Sequence, residues 1–349
     1  MHTGNRSADP QGTLSKENPT QILDTLRRLG ICTPHETLSR VEKAGEGNMN
    51  LVLRVITDQR SVIVKQSRPW VEKYPSIAAP AERLLAEIEF YDRVASDRSL
   101  RSQMPGVIAA DPVRHLMVLE DLGLSSDFSC LYGTPEAGIE SETVFEHAMA
   151  WLERLHDARH STGGAIGCQA LRELNHEHMF VIPVLNPPAI DLNRVCSGLH
   201  DASHVIRSDP TVQRVLGRLG QMYLQPDVLG EKVLLHGDYY PGSWLRTEHG
   251  FRVIDPEFCF LGPREFDLGV MAAHRVFCHA DADMASIKRL CNSYGHPVAF
   301  DRVCGFTGVE LMRRLVGVAQ LPLAADLGLR VAWLEFAREL LAFASQSWN

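Results

Sequence analysis

Four charged residues in separate parts of the chain have side chains that could carry out chemistry together. Asp238 lies in the stretch HGDYYPGS, residues 236–243, and Asp255 follows the next short apolar run. Glycine and proline are sufficient for a turn, but they give no reason for a histidine and an aspartate at this place. Lys65 lies in the apolar run SVIVKQ, and Glu87 lies in the amphipathic segment that comes next. A lysine, a glutamate and two aspartates are the residue types that phosphoryl transfer uses.

Phosphoryl transfer needs a cation on the phosphates, a metal ion held by carboxylates, and an acceptor for the proton of the attacking hydroxyl. A lysine on a strand can reach the phosphates, but its flexible stem needs an anionic partner. Glu87 can be that partner, although Glu89 on the same predicted helix competes for the role. The pattern therefore indicates phosphate binding by Lys65, with the alternative that this lysine only protects an edge strand from aggregation.

The two aspartates can divide the remaining roles. Asp238 would orient and deprotonate a substrate hydroxyl. Asp255, directly after a predicted strand, would hold Mg²⁺, because this ion prefers hard oxygen ligands and keeps several waters. Ser243 or Glu257 could add a further oxygen to the metal. The alternative for each aspartate is a hydrogen-bonding role in a loop or turn.

The elements that must position these residues are segregated along the chain. Strand patterns and one helix, over residues 81–95, fill the first third, and helices dominate from residue 141 onward around two short strands. This segregation favours an α+β fold over a doubly wound sheet. It predicts a disordered tail over residues 1–18, an N-lobe over residues 19–121 and a C-lobe over residues 122–349.

Length and composition exclude several classes of protein. The 349 residues are 45% hydrophobic and 22% charged, which is typical of globular proteins and too long for one small core. The formal net charge of −8, without a basic run, argues against nucleic-acid binding. The sequence shows no signal-peptide pattern and no apolar run near the roughly 18 residues of a membrane span. Eight scattered cysteines without a CxxC pair favour reduced thiols in the cytoplasm.

Several motifs, in order along the chain, resemble one group of kinases. HGD, then ID before a loop, then FDLG resemble the aminoglycoside phosphotransferase and choline kinase superfamily, which has a bilobal protein-kinase-like fold. The resemblance is closer to the 5-methylthioribose kinase family, which typically reads HGDxxxGS and VIDPEF followed by GP; here these elements are HGDYYPGS and VIDPEFCFLGP. GEGNMNLVLRV resembles its glycine loop, HLMVLEDLG its inter-lobe segment, and LMRRLVGVAQ its paired-arginine helix.

The resemblance implies a role for each residue of the site. It makes Asp238 the catalytic base and Asp255 the principal Mg²⁺ ligand, with Ser243 or Glu257 as auxiliary ligand. It makes Arg313 and Arg314 contacts of the sugar. It places ATP against Gly45, Gly47, Asn48, Lys65, Glu87 and the backbone from Glu120 to Leu122. The implied reaction transfers the γ-phosphate of ATP to the anomeric hydroxyl of methylthioribose, in methionine salvage, and the family suggests a homodimer.

The chain departs from the family near the expected acceptor site. The position after HGD-x, commonly histidine, is Tyr240, and the arginine helix continues with Gln320 where histidine is common. Tyr239 and Tyr240 are predicted either to line the acceptor pocket or to pack the loop. Arg313 and Arg314 point about 100° apart on a helix, so both rarely meet one ligand atom, and the pair could also be a solvated face. Kinase chemistry is therefore better specified than the acceptor.

Three alternatives remain open. The acceptor could be another sugar, an amino alcohol such as choline, or an aminoglycoside, although the arginine pair favours a neutral or anionic molecule. The chain could be a pseudokinase that binds nucleotide and signals, which the intact Lys65, Asp238 and Asp255 argue against. A phosphate-binding structural module would leave the acidic pair unexplained. Gly45 and Gly47 alone would also fit an ordinary hairpin turn.

Overall fold

The structure, a computed structural model, describes residues 12–45, 47, 49–132, 137–226, 231–279 and 282–347. Its N-terminal part is built on an antiparallel sheet of five strands in the order β1-β2-β3-β7-β6, with a separate β4-β5 hairpin. The strands are β1 (Leu38–Lys43), β2 (Leu51–Thr57), β3 (Ser61–Gln66), β4 (Trp70–Val71), β5 (Tyr74–Ala78), β6 (Val107–Asp111) and β7 (Leu116–Glu120). The helices of this part are α1 (Pro19–Arg28), α2 (Arg83–Val94) and α3 (Arg98–Arg101).

Alternation along β2 and β3 decides where the lysine of the site points. The two strands turn alternate apolar side chains to one face of the sheet, which α1 covers: Leu51, Leu53, Val55, Val62 and Val64. This is the alternation that the sequence predicts for β2. Lys65 follows Val64, so its side chain leaves the opposite face of the sheet, where α2 lies.

Helix α1 begins and ends at the signals that the sequence contains. The Asn18 side chain accepts a hydrogen bond from the backbone N–H of Gln21, and Pro19 occupies the first turn. Beyond the last turn Gly30 adopts a φ of 72°, and its N–H donates to the carbonyl of Arg27. The glycine therefore lets the chain turn away at the end of the helix.

The predicted disordered tail over residues 1–18 is wrong for residues 12–18. Leu14 is 1% exposed and packs in the core under the sheet. Its backbone N–H donates to the Gln66 side chain at 2.8 Å, and the Gln66 amide donates to the carbonyl of Gly12. Because these contacts begin one residue beyond Lys65, the segment braces the strand that carries the lysine.

The C-terminal part is mainly helical, as predicted. In the part of the chain that the structure describes, no helix is long and apolar enough to cross a membrane. Its helices are α4 (Ala137–Leu155), α5 (Gln169–His176), α6 (Leu192–Val195), α7 (Leu199–Arg207), α8 (Pro210–Leu224), α9 (Glu265–Cys278), α10 (Met284–Ser293), α11 (Phe300–Val316) and α12 (Leu327–Gln346). Its short strands are β8 (Ser125–Asp127), β9 (Val233–Leu235), β10 (Trp244–Thr247), β11 (Gly250–Val253) and β12 (Phe260–Gly262).

Two hydrophobic cores hold the fold together. The smaller core lies between α1 and one face of the five-stranded sheet. The larger core fills the helical part, and it also contains apolar side chains of α2, such as Leu84 and Phe90, and two from β7, Met117 and Leu119. The α+β, bilobal prediction is thus confirmed, and α2 packs both against β7 and against the turn Pro256–Phe258 that follows Asp255.

Candidate active site

Lys65 is the centre of a buried ion cluster between the two lobes. Its side chain is 2% exposed, and its ammonium lies 2.8 Å from Oε1 of Glu87 and 2.5 Å from Oδ1 of Asp255. Burial alone would lower the pKa of Lys65, but the carboxylates of Asp255 and Glu87 outweigh it and raise that pKa. The lysine is therefore a fixed cation, and the alternative of an exposed edge-strand lysine is wrong.

Glu87, and not Glu89, is the partner of the lysine. Glu87 is fully buried on the face of α2 that meets the sheet, whereas Glu89 pairs with Arg93 at 2.8 Å near the surface. Burial raises the pKa of Glu87, and the ammonium of Lys65 acts against that rise. Holding the carboxylate beside the lysine fixes the direction in which the ammonium points.

Three of the predicted contacts of the nucleotide lie at ends of strands in the sheet that carries Lys65: Gly45 and Gly47 between β1 and β2, and Glu120 at the end of β7. Gly45 has a φ of 75°, which a turn between β1 and β2 requires and which glycine adopts without strain. Among the described residues, no atom lies within 4 Å of a Cβ placed at Gly45 or Gly47, so this part of the turn is open. Glu120 ends β7, next to β3, and its N–H donates to the carbonyl of Gly106 at 2.8 Å. Asn48 lies outside the described residues.

The loop that carries Asp238 is held from behind by one buried carboxylate. Asp267, at the start of α9, accepts hydrogen bonds from the backbone N–H groups of His236 at 2.7 Å and Gly237 at 3.0 Å. Its Oδ2 also lies 3.3 Å from Nε2 of His156, a fully buried histidine that supports the loop from behind. The motif FDLG marks Asp267 in the sequence, although the motif alone does not predict this role.

Gly237 is required by the path of this loop. Its φ is 88°, and a Cβ at this residue would lie 2.0 Å from the carbonyl oxygen of Phe258. Because the atom it would meet belongs to the backbone, no side-chain rotation could relieve the clash. The glycine therefore lets the loop pass directly over the segment that follows Asp255.

Hydrogen bonds tie the two aspartates into one unit. The N–H of Ile254 donates to the carbonyl of Ser243 at 3.0 Å, and Nε2 of His236 donates to the carbonyl of Ile254 at 2.9 Å. Asp255 itself adopts a φ of 62° and a ψ of 50°, the left-handed region that non-glycine residues rarely occupy. Such a conformation costs about 1 kcal/mol or more and is typical of functional sites. Here it presents a carboxylate that is 44% exposed.

The three predicted metal ligands are not equivalent. Asp255 offers a carboxylate oxygen to the cleft, as a Mg²⁺ ion shared with phosphates requires. Glu257 is buried, accepts from Nδ2 of Asn50 at 2.9 Å and lies 3.4 Å from the guanidinium of Arg83. Burial raises the pKa of Glu257. Ser243 donates its hydroxyl to the carbonyl of Asp238 at 2.9 Å. Asp255 therefore fits as the metal ligand. Glu257 instead bonds Asn50 and Arg83, and Ser243 bonds the backbone of the loop that carries Asp238.

Among the described residues, no group of three or more histidine, cysteine, aspartate or glutamate side chains is arranged to hold an ion.

Arg313 and Arg314 both contact the catalytic candidate. Nη1 of Arg313 lies 3.1 Å, and Nη2 of Arg314 lies 3.2 Å, from the same oxygen of Asp238, Oδ1. Neighbouring side chains of a helix were expected to meet one atom only rarely, so this convergence is a correction. The two arginines are 6% and 5% exposed, and the alternative of a solvated helical face is wrong.

A further buried acid explains how the arginines converge. Glu310 on α11 accepts from Nε of Arg314 at 2.6 Å and lies 3.1 Å from Nη1 of Arg313. It also lies 3.0 Å from Nε2 of His274, whose Nδ1 contacts the hydroxyl of Tyr132. Sequence reasoning missed these residues. The signal for Glu310 was its spacing of three and four residues from the arginines, which places all three on one side of a helix.

Burial and neighbouring charges set the ionisation of this network. Burial would raise the pKa of Glu310, but the two guanidinium groups outweigh it and hold that pKa well below its usual range. Burial lowers the pKa of His274 to about 4 despite its contact with Glu310. The carboxylate is therefore charged and the imidazole neutral near neutral pH.

The two tyrosines of the loop have different surroundings. Tyr239 is fully buried, stacks on Trp151 and donates its hydroxyl to the carbonyl of Ala148 at 2.8 Å. Its predicted contact with the substrate is therefore wrong, because the loop packs it into the core. Tyr240 is half-buried beside the arginines, with the guanidinium of Arg314 4.6 Å from its ring centre. Burial and the charge of Asp238 raise its pKa to about 12, so its hydroxyl stays protonated.

Comparison with known proteins agrees with this geometry. The sequence profile of the phosphotransferase enzyme family matches residues 40–306. The methylthioribose kinase of Exiguobacterium sibiricum is 24% identical, over 87% of this chain and 85% of that protein. The methylthioribose kinase of Bacillus pumilus is 25% identical, over 86% of this chain and 83% of that protein.

A solved structure shares the fold at low sequence identity. Choline kinase LicA from Streptococcus pneumoniae superposes with a TM-score of 0.55 at 14% identity, covering 93% of this chain and 99% of that one. A second structure of LicA contains AMP. The predicted resemblance to kinases of small molecules is thus confirmed, and the enzyme is a kinase with an alcohol group as acceptor. With its lysine cluster, paired aspartates and family match over most of its length, the chain belongs to the phosphotransferase enzyme family.

Proposed function

We propose that this enzyme uses Mg²⁺ and ATP to phosphorylate 5-methylthioribose at its anomeric hydroxyl. The observation that carries the proposal is the pair of aspartates, Asp238 and Asp255, tied together at the mouth of the cleft beside a buried lysine. The choice of acceptor is supported by the methylthioribose kinases that match most of the chain. This activity would belong to methionine salvage in the cytoplasm.

The nucleotide would lie between the lobes, with its phosphates beside Lys65. Glu87 holds the ammonium in place on the side away from the cleft. The adenine would lie against the backbone from Glu120 to Leu122, at the end of the strand next to the lysine strand. Asp255 would hold the metal, and bound Mg²⁺ supplies positive charge that offsets the charge on the phosphoryl oxygens.

Asp238 would take the proton of the acceptor hydroxyl while that oxygen bonds to the γ-phosphorus and ADP leaves. Its two oxygens are in different states. Oδ1 is held by both arginines, and Oδ2 has no hydrogen-bond partner among the described residues. When one oxygen of a base is held by hydrogen bonds and the other has no partner, the second oxygen can hold a hydroxyl in a single orientation.

The charges around Asp238 favour a neutral acceptor. The two guanidinium groups are matched by two carboxylates, those of Asp238 and Glu310. A balanced cluster attracts neither a cationic amino alcohol nor a phosphorylated sugar by long-range charge. Tyr240, with its protonated hydroxyl, can donate a hydrogen bond to a sugar oxygen.

The test is ADP release with Mg–ATP and a panel of acceptors of each charge: methylthioribose and ribose, choline and kanamycin, and ribose 5-phosphate. We expect methylthioribose to give the highest kcat/KM. Faster turnover of any other acceptor would contradict the substrate assignment while leaving the kinase chemistry in place. Asp238→Asn should abolish turnover and retain ATP binding; wild-type turnover in that variant would contradict its role as base.

A further inference from the structure

Glu310 is a fully buried carboxylate, and its side chain is exposed neither to solvent nor in the cleft. It is 0% exposed near the end of α11 and contacts Arg313, Arg314 and His274. Burying an ionised carboxylate is costly unless charged hydrogen bonds compensate for the lost water. An apolar residue at this position of α11 would pack without that cost, so the presence of a charge here requires an explanation.

We propose that Glu310 is a positioning residue for phosphoryl transfer: it fixes Arg313 and Arg314 so that both hold Oδ1 of Asp238. Two guanidinium groups on adjacent helix positions diverge and repel each other. An acid three and four residues earlier lies on the helix surface between them and gives each a second anchor. Glu310 lies 2.6 Å from Arg314 and 3.1 Å from Arg313. These contacts hold both guanidinium groups where they can meet Oδ1 of Asp238.

The position of Glu310 is itself fixed from the other side. The tautomer of His274 is assigned by its partners: the hydroxyl of Tyr132 donates to Nδ1, and Nε2–H donates to Oε1 of Glu310 at 3.0 Å. The ring of Tyr240 lies 5.0 Å from that of His274 and 4.6 Å from the guanidinium of Arg314. The rings of His274 on α9 and of Tyr132 and Tyr240 in two loops therefore limit the movement of Glu310 and the two arginines.

The inference rests on the kinase chemistry of the family and not on the identity of the acceptor. Glu310→Gln keeps the size of the side chain and removes its charge. The matched control is Glu36→Gln: Glu36 is also 0% exposed and bonds an arginine, Nε of Arg60, at 3.0 Å, but it lies between α1 and β1. Both variants are measured by ADP release on the acceptor that the wild type uses fastest, or on water if none is used.

We expect Glu310→Gln to lower kcat by about 100-fold, the loss typical of a reacting group misplaced by about 1 Å, with KM for ATP within about twofold of the wild type. Glu36→Gln should retain wild-type kcat. Glu310→Asp keeps the negative charge on a side chain that is one methylene shorter, so it should lower kcat less than Glu310→Gln does. A wild-type kcat in Glu310→Gln, or an equal loss in the Glu36 control, would overturn the proposal.

A double variant separates positioning from general damage to the fold. If Glu310 acts through the arginines, Glu310→Gln should add less than about threefold to the loss caused by Arg314→Gln. Multiplication of the two losses would overturn the proposal, because it would mean independent effects. If Glu310→Gln does not fold, Glu310→Asp serves alone: a kcat at least about tenfold below the wild type is expected, and an unchanged kcat contradicts the proposal.

Discussion

Acid should destabilise this protein through His274, well above the pH at which the neighbouring Glu310 is protonated. The imidazole is fully buried, and burial lowers its pKa from 6.5 to about 4. A histidine in the unfolded chain takes up a proton at a higher pH than the buried one does. Between these two pKa values the unfolded state therefore binds more protons, and stability falls as the pH falls.

The size of the effect follows from the two pKa values. At about pH 7 the contribution is near zero, because neither state binds a proton appreciably. At about pH 5 the unfolded histidine is almost fully protonated and the folded one is still neutral, which costs about 2 kcal/mol of the free energy of unfolding. Glu310 does not confound this range, because the arginines hold its pKa well below its usual value.

The assay is urea unfolding, followed by tryptophan fluorescence, at about pH 7 and about pH 5 for the wild type and His274→Gln. The variant loses a hydrogen bond at both pH values, so its informative quantity is the change between them. We expect the wild type to lose about 2 kcal/mol more than His274→Gln over this interval. The burial of His156 and His236 acts in the same direction in both proteins and cancels in the comparison.

His35→Gln, a change of an exposed histidine, is the matched control and should lose stability with pH as the wild type does. An equal loss in the wild type and His274→Gln would refute the reasoning, because it would mean that His274 is protonated in the folded protein at about pH 5.

Three further changes test other parts of the structure. Gly237→Ala should lower kcat by about 100-fold, because its Cβ would meet the carbonyl of Phe258 and displace the loop; wild-type ADP release would contradict this. Lys65→Met should destabilise the fold by about 3 kcal/mol by leaving Glu87 buried without a cation, and Lys65→Met combined with Glu87→Leu should recover most of it in urea unfolding. Leu14→Ala should cost about 2–4 kcal/mol, seen as a lower Tm, because Leu14 lies in the smaller core; an unchanged Tm would mean that residues 12–18 do not pack there.

Two controls match these changes. Gly217→Ala, on α8, places a Cβ where nothing lies within 4 Å and should retain turnover, with stability raised by up to about 1 kcal/mol. Leu124→Ala changes a leucine that is 79% exposed and should leave the Tm unchanged.

The sequence predicts the residues that line the cleft better than the buried residues that support them. Lys65, Glu87 and Asp255 could be found because each lies in, or just after, a strand or helix whose pattern is clear, and because phosphoryl transfer requires those residue types. The choice between Glu87 and Glu89 could not be made from the pattern, since both fit an amphipathic helix. It was decided by which residue α2 turns toward the sheet.

The network around Glu310 shows what pattern alone misses. His274 and Tyr132 lie far from the arginines in sequence, and each reads as an ordinary helix or loop residue. Their roles depend on α9 and α11 packing side by side, which is a tertiary contact. Tyr239 was misassigned for the same reason: a tyrosine beside a catalytic residue can point into the pocket or into the core, and only the path of the loop decides.

The packing of α2 in the larger core has a mechanical consequence. Its apolar side chains pack with the helical lobe, while Lys65 belongs to a sheet whose other face packs on α1. The contact between Lys65 and Glu87 joins the sheet to α2. A tilt of the sheet relative to α2 would therefore move the Lys65 ammonium away from the carboxylate that holds it, so that opening the cleft and displacing this cation would be one movement.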